Sequence, residues 1–206
     1  MSNKHFIVIA GPNGAGKSTT SKRILEEYGI EAFDWDKQVY ERWKRFDYDS
    51  NETLIQGCKD AATEDFEKHI ATAFKWGENV AYETNLHINS HFIRNTKARE
   101  LGYTTTLIFF LINSTDICEQ RVALRVKDGG HFVDRKTIDY RFEKGLENLN
   151  KAILEFDRVI IYNTSIDYKI ELAALIIKQK AIAVVPAEIP SSVRPILTNI
   201  NYLWQK

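Results

Sequence analysis

Cysteine and proline are scarce in this chain of 206 residues, and neither sign of charge is in excess. Cys58 and Cys118 stand far apart, without the paired spacing of zinc sites or redox C-x-x-C motifs, so we interpret both as buried thiols. Lysine and arginine total 28, as do aspartate and glutamate, so the formal net charge is zero. A neutral chain has no global field that draws it to nucleic acid or to an anionic membrane, and a nucleic-acid partner is not expected.

Long hydrophobic runs are also missing. No apolar stretch approaches the roughly 20 residues of a membrane-spanning helix, and the segment before the first apolar run is too short for a secretory signal. The sequence therefore predicts a cytoplasmic protein without a membrane partner. With 44% hydrophobic and 12% aromatic residues, the chain can bury a sizeable core as one domain.

Short apolar runs alternate with segments of helical periodicity. Residues 5–10 are almost continuously apolar and end at Gly11, which is typical of a central strand buried on both faces. The sequence predicts five strands, at residues 5–10, 30–33, 80–82, 103–112 and 159–162, and helices at residues 17–28, 37–43, 52–76, 89–101 and 114–127 and within 138–156. This alternation is typical of a parallel, doubly wound α/β sheet.

The C-terminal segment is less clear. Residues 168–185 are apolar, but alanine and leucine favour a helix whereas isoleucine and valine favour a β-hairpin, and both remain open. The last twenty residues hold Pro190 and Pro195, with Pro186 just before them. We expect an extended tail that packs on the body or reaches a partner.

A glycine-rich motif follows the first predicted strand. Residues 11–18 fit G-x-x-x-x-G-K-[ST] and lie between a strand and a helix, as the phosphate-binding P-loop requires. We expect Lys17 to bridge the β- and γ-phosphates of ATP and Ser18 to bind Mg²⁺. A glycine-rich turn that carries Lys-Ser by chance is the alternative. The predicted nucleotide-binding residues are Gly11, Pro12, Asn13, Gly14, Ala15, Gly16, Lys17, Ser18 and Thr19.

Acidic residues follow two of the predicted strands, where parallel sheets gather their ligands. Asp34 and Asp36 come after the second strand; either could be a catalytic base or a helix cap, and we favour catalysis for Asp36 and capping for Asp34. Glu83 ends the third strand and could bind the substrate or, through water, Mg²⁺, with Thr84 as a weaker substrate contact and Asn85 as a further weak candidate. A strand that merely ends in polar residues is the simpler alternative.

Arginines mark a candidate lid. Arg121 and Arg125 lie four residues apart on one predicted helix, before Gly129-Gly130, and could stabilise a transferring phosphoryl group. Arg135 and Arg141 could close the other side, and His131 could contact phosphate or substrate. A solvated helix face and a surface histidine explain the same residues without catalysis. His87 and His91 are also four apart, but no third ligand is evident, so we favour no metal there.

The run R-V-x-x-R-V-x-x-G-G-H-x-V from Arg121 to Val133, after a P-loop, a D-x-D turn and a Glu-Thr pair, resembles the zeta-toxin-like family of P-loop kinases. The resemblance covers about residues 5–163. It implies a P-loop NTPase fold of nucleotide-kinase type, a three-layer sandwich with a five-stranded parallel sheet and a helical lid. We place the kinase domain at residues 1–180 and treat residues 181–206 as a C-terminal extension.

The resemblance also implies a function. It suggests an ATP- and Mg²⁺-dependent kinase whose acceptor is a small-molecule hydroxyl, in better-known members that of a UDP-activated amino sugar, and an antitoxin as a protein partner. It makes Asp36 the candidate base, Glu83 a substrate or metal contact, Arg121 and Arg125 lid residues, and Arg141 a match to a downstream arginine. Asp134, Asp139 and Tyr140 depart from the family pattern, so the substrate could differ.

Two other functions remain open. A polynucleotide kinase would need a basic groove with stacking aromatics; Trp35, Trp43 and Trp76 are available, but the net charge is unhelpful. A nucleotide-dependent switch would only hydrolyse ATP, reorder its lid and recruit a partner through the proline-containing tail.

Overall fold

A computed structural model describes residues 4–127, 130, 132–166 and 169–205. Gly129 and His131 of the sequence analysis lie outside these residues. The described chain forms one sheet with the strand order β2-β3-β1-β4-β5-β6-β7. The strands are β1 (His5–Ala10), β2 (Ala32–Asp34), β3 (Val80–Thr84), β4 (Thr104–Leu111), β5 (Arg158–Asn163), β6 (Glu171–Ile177) and β7 (Lys180–Val184).

Helices cover both faces of the sheet. They are α1 (Lys17–Leu25), α2 (Trp35–Lys44), α3 (Glu52–Trp76), α4 (Ser90–Glu100), α5 (Thr115–Lys127), α6 (Arg135–Glu155) and α7 (Thr198–Trp204). Side chains of β1 alternate between two buried clusters, Phe6 facing the one that contains α3 and α4, Ile7 the one that contains α1 and α5. The result is the predicted three-layer sandwich. None of the described helices is long and apolar enough to cross a membrane.

The prediction of a five-stranded, all-parallel sheet was incomplete. The five predicted strands are present and parallel, but β6 and β7 add an antiparallel hairpin beside β5. The segment left open between helix and hairpin is therefore a hairpin. Its turn residues Lys178 and Gln179 have φ angles of 48° and 60°, which suits a two-residue hairpin turn. Lys-Gln lacks the asparagine or glycine that usually signals such a turn.

The tail after β7 packs on the body. It contains a short 3₁₀ turn at Pro186–Glu188 and the helix α7. Ile189, Val193, Leu197 and Ile200 are buried in the same cluster as α6, and Asn199 donates to the backbone carbonyl of Asn150 at 2.7 Å. The prediction of an extended tail was thus wrong for residues 198–204. The division of the chain at residue 180 stays a prediction.

A glycine lets α6 approach the loop that follows β3. A Cβ atom on Gly145 would lie 2.7 Å from the backbone oxygen of Asn85, closer than real Cβ contacts occur. One turn of helix further, Asn148 donates to the carbonyl of Leu86 at 2.8 Å. Leu86 itself has a φ of 58°, a left-handed conformation that a non-glycine residue adopts only when its surroundings hold it. α6 therefore holds the loop that carries Asn85.

We predict that Gly145→Ala lowers the free energy of unfolding by about 1–2 kcal/mol, because the added methyl group meets the Asn85 carbonyl. Gly57→Ala in α3 is the matched control, since nothing lies within 4 Å of its Cβ position. That change should raise stability by up to about 1 kcal/mol through helix propensity. Urea unfolding of both variants measures this, and equal effects of the same sign would contradict the close approach.

Candidate active site

The loop between β1 and α1 has the backbone of a phosphate cradle. Gly14 and Gly16 have φ angles of 80° and 79°, and Gly11 has a φ of 144°. A Cβ on Gly11 would lie 2.5 Å from the Phe110 carbonyl oxygen, so only glycine fits beside β4. Gly16 caps the N-terminus of α1, where backbone N–H groups and the helix dipole favour an anion. The loop is thus shaped for phosphate oxygens.

Lys17 lies at the centre of this loop. Its Nζ donates to the carbonyl oxygens of Gly11 at 2.8 Å and Pro12 at 3.1 Å, and to Oδ1 of Asn85 at 3.3 Å. Burial lowers the pKa of Lys17, and the nearby carboxylates of Glu83 and Asp36 oppose that shift. Of the nine predicted nucleotide-binding residues, Asn13 to Thr19 line one cavity. Gly11 and Pro12 instead hold Lys17 through their carbonyl oxygens.

Glu83 is tied to the start of α1. Its Oε2 accepts from Ser18 Oγ at 2.7 Å and its Oε1 from Ser21 Oγ at 2.8 Å. Burial raises the pKa of Glu83, helped by the neighbouring Asp34, while Lys17 opposes the rise. A hydroxyl and a carboxylate beside a phosphate loop are the oxygen ligands that Mg²⁺ prefers. The predicted magnesium residues Ser18 and Glu83 therefore lie together and fit the ion.

Asp36 lies in the first turn of α2, facing the same cavity. Arg141 of α6 donates from one Nη to Asp36 Oδ2 and to Asn13 Oδ1, both at 3.4 Å. Asn85 donates to the same carboxylate oxygen at 3.4 Å and accepts from Lys17. Asn85, a weaker candidate in the sequence, therefore links the P-loop lysine to the candidate base, a link that no motif predicts.

Asp34 has a different role from Asp36. It precedes α2, and its Oδ1 accepts from the Lys37 backbone N–H at 3.0 Å, which makes it the helix cap that the sequence favoured. Because Asp34 is the cap, α2 begins at Trp35 rather than at Lys37 as expected. This earlier start places Asp36 on the helix, with its side chain in the cavity.

The candidate lid arginines do not all reach the cavity. Arg121 and Arg125 line it from α5, and Arg121 donates to the carbonyls of Gly14 and Ser165, both at 3.4 Å. Arg135 instead forms ion pairs with Asp116 and Glu119, which join α6 to α5, and with Asp139 of its own helix. The expectation that Arg135 closes the site was therefore wrong. His131, a predicted contact to phosphate or substrate, is not among the described residues.

Thr84 points to a buried histidine. Its Oγ1 lies 2.9 Å from His91 Nε2 and accepts from the Leu86 backbone N–H at 3.0 Å. The other ring nitrogen of His91 lies 3.1 Å from the Tyr82 hydroxyl. Burial lowers the pKa of His91 to about 3, so the ring is neutral near pH 7. Within this arrangement, Thr84 positions α4 and the loop after β3.

The cavity has a volume of about 700 Å³ and extends beyond these groups. On the side away from the P-loop it is lined by α2, α3 and α4, through Trp35, Thr63, Phe66, Glu67, His91 and Arg94. The sequence analysis missed this compartment because its residues come from three helices and no spacing connects them. A cleft that joins a phosphate loop to a second compartment can hold two substrates side by side.

Comparisons with known proteins agree with this fold. The family model described as Zeta toxin matches residues 2–173, and no curated protein matches the chain. A structure from the PezAT chromosomal toxin–antitoxin system of Streptococcus pneumoniae has 15% identity and a TM-score of 0.70 over 100% of this chain and 89% of that one. A candidate kinase from Chloroflexus aurantiacus has 13% identity and a TM-score of 0.60, covering 100% and 98%.

A further solved structure, AvrRxo1-ORF1:-ORF2 with ATP, has 12% identity and a TM-score of 0.70 over 96% of this chain. This chain covers 64% of its length. At such identities the likeness shows the fold, a P-loop kinase sandwich.

We predict that His91 makes stability depend on pH. Its pKa is depressed in the folded state to about 3 from 6.5, so the unfolded chain binds more protons between these values. Stability should fall as the pH drops through this window, with a contribution of up to about 1.4 kcal/mol per pH unit. His91→Gln should be less stable than the wild type at pH 7 by about 1–3 kcal/mol, because two buried hydrogen-bond partners change.

The difference between His91→Gln and the wild type should shrink toward pH 4, because the variant lacks the buried histidine. Urea unfolding at pH 7, 5.5 and 4 measures it. A difference that stays constant over this range would exclude the buried neutral histidine as the cause.

Proposed function

Because this chain belongs to the Zeta toxin family, we propose that it is an ATP-dependent kinase that phosphorylates a hydroxyl group of a small molecule. One observation carries the proposal. Asn85 bridges Lys17 of the P-loop and Asp36, so that a phosphate cradle and a candidate base face one cavity. A kinase needs both within reach of one reacting hydroxyl.

The P-loop binds the nucleotide. Its backbone N–H groups bind the phosphate oxygens of ATP, and Lys17 turns from the Gly11 and Pro12 carbonyls toward the β- and γ-phosphates. Ser18 and, through water, Glu83 would hold Mg²⁺, which would offset negative charge on the phosphates when bound. The similarity in fold to a protein solved with ATP supports this nucleotide.

Asp36 acts on the acceptor as the general base. Its carboxylate takes the proton of the acceptor hydroxyl while the oxygen forms a bond to the γ-phosphorus. The bond from that phosphorus to the bridging oxygen breaks, and ADP leaves. Arg141 holds Asp36 and lies beside Asn13 of the P-loop, so its guanidinium also stabilises the charge on the transferred group. Arg121 and Arg125 act from the other side of the cavity.

The acceptor and the protein partner follow from the family. We propose a UDP-activated amino sugar as the first acceptor to test, and an antitoxin as the partner, as in the toxin–antitoxin system of the Streptococcus pneumoniae protein. The polynucleotide alternative has less support, because among the described lining residues Trp35 is present but Trp43 and Trp76 are not. Stacking platforms need such residues along the groove.

We predict that Asp36→Asn lowers kcat for phosphate transfer by about 10²–10⁴-fold, because the base is lost while the volume is kept. Lys17→Ala should lower kcat/KM by at least about 10²-fold, because a buried cation leaves the phosphate site. The measurement is transfer from labelled ATP to UDP-N-acetylglucosamine, other UDP-sugars, nucleosides and oligonucleotides.

Arg135→Lys serves as the control, since its ion pairs lie outside the cavity, and it should retain activity. Transfer that survives Asp36→Asn unchanged would exclude Asp36 as the base. ATP hydrolysis without transfer to any acceptor would instead favour the nucleotide-dependent switch. Transfer to oligonucleotides but to no other acceptor would indicate a polynucleotide kinase.

A further inference from the structure

The part of the cavity lined by α2, α3 and α4, which we call the acceptor compartment, contains a cation that the mechanism above does not use. Among the described residues that line the cavity from α2, α3 and α4, Arg94 is the only lysine or arginine. The other lining cations, Lys17, Arg121, Arg125 and Arg141, come from α1, α5 and α6. Arg94 therefore stands alone at the far end of the cavity.

The guanidinium of Arg94 is fixed on the cavity wall. Its Cζ lies 4.9 Å from the centre of the Phe66 ring, and its Nη1 donates to Ser90 Oγ at 2.9 Å. Its side chain is only 18% exposed. α4 itself is anchored to the end of β3, because His91 contacts Thr84 and Tyr82. The position of Arg94 relative to the strand that carries Glu83 is therefore set by the fold.

The carboxylate that pairs with Arg94 is held less firmly. Glu67 accepts from Nη2 of Arg94, but its side chain is 54% exposed. Ion pairs with a partner this exposed contribute little to stability, so Glu67 can turn into solvent at small cost. Ser90 and Glu67 take two of the five N–H donors of the guanidinium, and the others have no partner among the described residues.

We propose that Arg94 binds an anionic group of the acceptor, a phosphate or diphosphate, and that this group displaces Glu67 when the acceptor enters. A phosphate presents two oxygens to the planar fork of an arginine and can form two parallel charge-assisted hydrogen bonds with it, whereas Glu67 accepts from Nη2 alone. The reacting hydroxyl then lies at Asp36 and the anionic group at Arg94, with Trp35 and Phe66 along the wall between α2 and α3. This inference rests on the proposed kinase activity and assigns to Arg94 the recognition of the anionic group of the acceptor.

The test uses inorganic phosphate as the probe. The full chain is saturated with Mg²⁺ and a non-hydrolysable ATP analogue, which fills the P-loop, and phosphate binding is followed by calorimetry. We expect saturable binding that Arg94→Gln abolishes and Arg94→Lys weakens several-fold, because lysine keeps the charge but lacks the fork. Glu67→Gln should strengthen binding several-fold, because the competing carboxylate is removed. Binding of the ATP analogue should be unchanged in all variants, which shows that they are folded.

Asp65→Asn is the matched control. Asp65 lies two residues before Glu67 on α3 and pairs with Arg42, and neither lines the cavity. Its substitution should leave phosphate binding unchanged. Phosphate binding that persists in Arg94→Gln, or that is absent in both the wild type and Glu67→Gln, would overturn the proposal.

A second measurement compares acceptors that differ in phosphate. UDP-N-acetylglucosamine is paired with N-acetylglucosamine, and UMP with uridine, in the transfer assay. Wild-type enzyme should prefer the phosphate-bearing member, and Arg94→Gln should raise its KM at least tenfold with little change in KM for ATP. A preference for the phosphate-free member would overturn the role of Arg94. Absence of transfer to any acceptor contradicts the proposed kinase activity, whereas the calorimetric result still decides whether Arg94 binds phosphate.

Discussion

The site depends on holding one ammonium group that is partly removed from water. Burial alone disfavours the charged form of Lys17. Two backbone carbonyls, the Asn85 side chain and the nearby carboxylates of Glu83 and Asp36 compensate for this. These groups come from the P-loop, from β3 and the loop after it, and from α2, so the sheet order that brings β1 beside β3 is a condition for the charged lysine.

The same constraint explains why the loop after β3 is built so firmly. Asn85 must reach both Lys17 and Asp36, and its neighbour Leu86 adopts a left-handed conformation to allow this. Thr84 and Asn148 hold the two sides of that turn. Gly145 allows α6 to approach the loop closely enough for the Asn148 contact. Backbone strain at the site is thus balanced by contacts from a helix distant in sequence.

Charge is distributed along the cavity in pairs. Lys17 lies close to Glu83, Arg141 to Asp36, and Arg94 to Glu67. Opposite charges attract each other more strongly in a partly desolvated cleft than in water, and a ligand that exchanges partners with them meets groups that are already oriented. The two arginine ion pairs differ in exposure, because the carboxylate of Glu67 is more exposed than that of Asp36. Because its carboxylate is the more solvated, this pair can exchange its partner at lower cost.

The sequence by itself determined the P-loop, the parallel core and the family. A run of apolar residues that ends in a glycine-rich turn has a local physical cause, since the loop conformation depends on residues next to one another. The same holds for Asp34 as a helix cap and for the long helix of residues 52–76. The resemblance carried by Arg121 to Val133 agreed with the family match, although His131 lies outside the described residues.

Only the tertiary structure decided the rest. It added the hairpin of β6 and β7, because Lys-Gln turns carry no local signal. It showed that two arginines with similar predictions have different contacts: Arg135 joins two helices through ion pairs, whereas Arg141 contacts Asp36. It also brought Asn85 and Arg94 into the cavity. These assignments depend on which elements pack against each other, and that is set by the burial of both sheet faces rather than by the spacing of residues along the chain.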